Sequence, residues 1–201
     1  MQLSDLPDDL EAFARKIGYT DAWMAAGVID EELLRRQWQR YHESDDHNGE
    51  HYRHGAFVYF VRNRSEFTDA EVDELLSLHD NVDDVDLTEN RLFEMIRWLP
   101  LDQLLTLRTR HADLFDRASE KFYNRHVAYR RIEIEGVRAV FEDVKHLADG
   151  PLERDIVEHP DVGREELEWL QVHGKNKKIR NMARALLNSR RFRTPKSPPQ
   201  S

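Results

Sequence analysis

Along most of the chain, apolar residues recur at three- and four-residue spacing, the period of a helix with one buried face. Strict alternation occurs only in RRIEIEG (130–136), which is too short to define a sheet. Helix boundaries are well marked. In TDAEVDELLSL, Thr68 stands three residues before Glu71, a capping-box signature, and Val72, Leu75 and Leu76 follow at helical spacing. LTENRLFEMIRWLP is expected to open at Thr88 and to stop before Pro100. PLDQLLTLRTRH opens on that proline, where the missing N–H costs nothing, and GREELEWLQVHG closes on Gly174. The pattern predicts an all-α fold.

The helices also resemble one another. A helices are expected to begin near residues 29, 67, 100, 133 and 162, each followed after a polar turn by a B helix. Two B helices align closely, NGEHYRHGAFVYF and NKKIRNMARALL. In both, an Asn precedes an apolar–Arg pair (Tyr52–Arg53; Ile179–Arg180), and an Ala follows three residues after the Arg (Ala56; Ala183). Two further apolar residues complete each pattern (Tyr59–Phe60; Leu186–Leu187). Weaker copies place Ile96 and Ala118 at the alanine position, and the fourth, PLERDIVEHP, is short.

Over roughly residues 29–190 this pattern resembles HEAT-like helical-hairpin repeats. In that family the B-helix arginine braces adjacent layers and the alanine lets helices approach closely. The resemblance implies an irregular right-handed stack of about five hairpins, an α-solenoid. The alternative is a non-repetitive helical bundle, since any packed helix shows similar apolar spacing. The expected organisation is an N-terminal helical cap (1–28), a repeat domain (29–193) and a disordered tail (194–201), the last containing three prolines.

Charge sharpens this picture. Nine of the 30 basic residues lie after Glu168 and none of the 39 acidic ones do, so residues 1–168 carry −18 and the remainder +9. On KNKKIRNMARALLNSRRFR, residues Ile179, Ala183, Leu186 and Leu187 form an apolar stripe. Lys177, Arg184 and Arg191 share an outward arc, with Lys178 a quarter turn away. Lys175, Lys177, Lys178, Arg180, Arg184, Arg190, Arg191 and Arg193 are the candidate residues for binding a partner or a polyanion. The competing reading docks this basic helix on the chain's own acidic body.

Little else suggests chemistry. There is no cysteine, so disulfides and thiolate ligands are excluded. HNGEH (47–51) matches the inverted zinc-peptidase pattern, and with His54 it makes His47, Glu50, His51 and His54 the metal candidates. Asn48–Gly49 is turn chemistry, however, which places His47 in a loop and breaks the shared face that such a site needs. The acidic run holding Asp80, Asp83, Asp84, Asp86 and Glu89 lacks the glycine of a calcium loop and reads as a solvated turn. Trp38, Trp98 and Trp169 read as core. No nucleophile elbow or phosphate-cradling glycine loop is present, so neither an enzyme nor a cofactor is expected.

The start of the chain lacks a charged-then-apolar leader and the longest apolar run, GAFVYFV, is too short to span a bilayer. A cytoplasmic, membrane-free protein is expected. The functional expectation is a protein-interaction scaffold or adaptor. The alternative is a nucleic-acid-associated protein that binds through the basic C-terminal helix.

Overall fold

The computed structural model describes residues 1–64, 66–78 and 86–192. Among them the chain forms twelve α-helices and no strand. They are α1 (Asp8–Lys16), α2 (Asp21–Ala25), α3 (Glu31–Glu43), α4 (Gly49–Arg62), α5 (Asp69–Leu76) and α6 (Asp86–Trp98). There follow α7 (Leu101–Arg110), α8 (Arg117–Glu135), α9 (Val137–Val144), α10 (Gly150–Glu158), α11 (Arg164–His173) and α12 (Lys177–Leu187). No helix among the described residues is long and apolar enough to cross a membrane. Of the expected acidic turn, Asp80, Asp83 and Asp84 lie outside the described residues, as does the tail 194–201, whereas Asp86 and Glu89 belong to α6 and not to a turn.

The caps explain where helices begin. Asn48 and Asn176 each accept a backbone N–H through the side-chain oxygen, from Glu50 and Ile179, both at 3.0 Å. The Thr68–Glu71 capping box forms as read, with Glu71 Oε2 2.7 Å from the Thr68 N–H. That N–H, followed by the Arg64 guanidinium, pulls the Glu71 carboxyl down to about 2.

Three helix assignments differ from the sequence reading. α6 opens at Asp86, so Thr88 lies in its first turn and not at its cap. Residues 133–135 complete α8, and the fourth A helix starts only at Val137. The break between them is Gly136, whose φ of +85° is readily adopted only by glycine. Ala118 is exposed at the start of α8, and the deeply buried alanine of that helix is Ala128. Trp38 departs from its expected core position too, being 37% exposed, whereas Trp98 and Trp169 are half-buried.

The chain divides into two compact units, residues 1–123 and 124–201, with the division inside α8. Residues 1–28 pack within the first unit, where α1 lies on α3 and α4 on α6, and α5 contacts α6 and α7. Its core includes Phe13, Tyr19, Trp23, Leu34, Phe57 and Val61. In the second unit α10 and α11 both pack on α12. Val140, Phe141, Leu152, Ile156, Leu167, Leu170, Ile179 and Ala183 share one core there.

Candidate interaction surfaces

The B-helix arginines act on backbone carbonyls. Arg53 of α4 donates to the Ile17 carbonyl at the end of α1, and Arg91 of α6 donates to the Leu78 carbonyl just after α5. Arg180 of α12 donates to the Gly174 carbonyl at the end of α11, at 2.7 Å. Arg53 and Arg180 therefore each satisfy the carbonyl of a helix C-cap residue, and Arg91 that of the residue just past one. Close approach of Arg53 explains Gly18, which has φ +93° and no room for a Cβ beside that guanidinium.

Arg91 lies five residues before Ile96 and so falls outside the register read from sequence, and two further residues escape the pattern as well. Arg125 of α8 stands three residues before the buried Ala128 and makes a bidentate pair with Asp149, at 2.9 and 2.8 Å. Asp149 is 2% exposed and also caps α10 by accepting the Leu152 N–H. On α10 the arginine position is taken by Glu153, 4% exposed, whose Oε2 accepts the Lys175 N–H at 2.7 Å. Burial pushes the Glu153 carboxyl up, against the opposing pull of that N–H.

α12 presents two opposed faces. Ile179 and Ala183 are buried, Leu186 and Leu187 half-buried, and Lys177, Lys178 and Arg184 exposed. Of the eight cations expected to form a binding surface, Arg180 and Arg191 spend donors inside the fold. Arg191 donates to the carbonyls of Pro160 and Val162, the latter at 3.0 Å. Lys175 is exposed at the α11–α12 turn, where its field acts on Glu153. Arg193 lies outside the described residues. Lys177, Lys178, Arg184 and Arg190 are exposed and form no ion pair with a carboxylate among the described residues.

The four histidine-stretch candidates do not converge. α4 begins at Gly49, so His47 lies off the helix, with its ring centroid 4.4 Å from that of Tyr41. His51 faces Asp46 at 3.2 Å, and His54 is exposed one turn further on. Asp46 is held below the usual carboxylate range by the Asn48 N–H first, then by His51 and Arg40. Glu50 is half-buried in the first turn of α4. Among the described residues no three His, Asp or Glu side chains are grouped to hold a metal ion.

The same helices frame a groove of about 450 Å³ that the sequence reading missed. Its floor includes Gln37 and Tyr52. Gln37 is buried and fully engaged: its Nε2 donates to the Tyr52 carbonyl at 3.2 Å, and its Oε1 lies 3.1 Å from the Tyr19 hydroxyl. The groove's sequence signals are a polar residue, Gln37, at an inward helical position and a glycine, Gly55, inside a helix, and periodicity alone assigns a groove to neither.

Comparison with known proteins finds no matching family model, no matching curated protein and no matching solved structure.

Proposed function

We propose that the chain is a non-enzymatic protein-interaction scaffold built from stacked HEAT-like hairpins, with the outer face of α12 as one contact surface. The observation that carries this reading is the set of exposed, unpaired cations on a helix whose opposite side is core. A side chain used only to dock α12 on the chain's own acidic residues would be paired with them. Packing of A on A (α5 on α7) and B on B (α4 on α6; α10 on α12) supports a stacked arrangement within each unit.

The same cations favour a second reading, binding to nucleic acid, because no acidic residue follows Glu168. Titration of labelled duplex, single-stranded DNA and a glutamate-rich peptide across a salt series separates the two. The scaffold reading expects the peptide to bind and the oligonucleotides to bind no better than to a neutral control. Charge reversal at Lys177, Lys178 and Arg184 should abolish the interaction. Steeper salt dependence for DNA than for peptide, losing about one unit of slope per reversed contact, would favour the nucleic-acid reading instead.

A further inference from the structure

We infer that the groove between α3 and α4 is a docking site for about two turns of a partner helix that carries acidic residues. This rests on the reading of the chain as a protein-binding scaffold, but it shares no residue with α12.

Gly55 is the first reason. It sits in the interior of the 14-residue α4, where glycine costs about 1 kcal/mol relative to alanine. The fold supplies no compensating need for it. Its backbone is not left-handed, and a Cβ built on it would meet nothing within 4 Å. Gly49 and Gly174, by contrast, are hemmed in by backbone atoms. Gly55 lines the groove, so its bare Cα leaves room for another backbone to come close.

The shape of the groove selects a helix. On α3 it is lined at Leu33, Arg36, Gln37 and Arg40, the ridge spacing along which a third helix packs. That wall runs about 11 Å, two helical turns. Leu33 supplies half-buried apolar surface, and Tyr59 stands 62% exposed one turn beyond Gly55.

Charge selects the partner. Arg36 and Arg40 both line the groove, and no lining residue is a carboxylate. Glu32 and Asp46, which pair with these arginines, lie outside the lining, and both arginine side chains are more than half exposed. A helix with aliphatic residues toward Leu33 and Gly55 and carboxylates toward Arg36 and Arg40 complements the apolar and charged parts of this lining.

A display library of helical peptides about 18 residues long, randomised on one face, tests this directly. Selection against the full chain is expected to enrich aliphatic residues at three-four spacing flanked by Asp or Glu. The enriched peptides should bind Arg36→Glu/Arg40→Glu at least about tenfold more weakly. Gly55→Gln should weaken them equally, because its side chain fills the groove. Its higher helix propensity should leave the melting temperature no lower than that of the parent chain. Charge reversal at Lys177, Lys178 and Arg184 should change nothing. The inference is overturned if the enriched peptides are basic, or bind the groove variants as tightly as the parent chain. Peptides that lose affinity only for the α12 variant would sink the groove and leave the scaffold reading standing. A selection that enriches nothing also overturns the groove, while the α12 titrations decide the scaffold reading on their own.

Discussion

One peptide unit, Gly174–Lys175, is held at both of its polar atoms by side chains of opposite charge. Arg180 of α12 donates to its carbonyl and Glu153 of α10 accepts its N–H, both at 2.7 Å. The turn leading into α12 is therefore anchored from two helices, and at Glu153 the anchor is a buried charge. Because burial raises the folded-state pKa of Glu153, the folded form binds its proton more tightly than the unfolded chain does. Stability linked to this group is thus fully present below the ordinary glutamate range and is lost as pH rises through the raised value. Burial is the largest cause and the Asp149 carboxylate acts with it, while the Lys175 N–H and ammonium oppose them. Glu153→Gln keeps an acceptor for the Lys175 N–H and removes the charge. Its melting temperature should equal or exceed that of the parent near about pH 7.5, with the gap closing towards about pH 4. A variant less stable than the parent at neutral pH, with the gap widening as pH rises, would contradict this assignment.

At the scale of elements, the two best-aligned B helices start for the same local reason. Asn48 and Asn176 each satisfy an N–H that α4 or α12 leaves without an intrahelical partner. Asn48→Ala and Asn176→Ala should each cost about 1 kcal/mol in chemical denaturation, with an unchanged denaturant slope. α8 is the counter-example to reading elements by alignment. Its weak copy of the repeat, centred on Ala118, describes an exposed first turn, whereas the bracing pair is Arg125 with Ala128. A nineteen-residue helix offers several registers with similar apolar spacing, and only its packing partners select one.

For the molecule as a whole, the two units carry separate cores, and α12 completes the second. Ending the chain after Gly174 removes Ile179 and Ala183 from that core. Each lost aliphatic side chain of the size of Ile179 is worth about 1.5–3 kcal/mol. It also frees the Gly174 carbonyl. Hydrogen exchange on the truncated chain should therefore show lost protection in α9–α11 and retained protection in α1, α3 and α4. Full protection throughout would mean that α12 is an appendage of the second unit and not part of its core. The charge-reversed full chain is accordingly the cleaner probe of binding at α12, since its substitutions fall on exposed positions.

What the sequence determined by itself is what local physics controls. Three-four apolar spacing makes helices, and Thr68, Asn176, Pro100 and Gly174 mark helix ends through hydrogen bonds spanning only a few residues. The outward arc of Lys177 and Arg184 likewise follows from helix geometry once the apolar stripe is known. Tertiary structure decided everything that depends on a distant partner. Arg53 reaches a carbonyl 36 residues earlier and Arg125 a carboxylate 24 residues later, and no local pattern encodes either separation. Arg191 looks as available as Lys177 in a list of basic residues, yet one of its nitrogens is spent on carbonyls about thirty residues earlier. The open space over Gly55 has the same origin. A glycine in a helix reads as a mild local defect, and only the arrangement of α3 against α4 turns it into the floor of a groove.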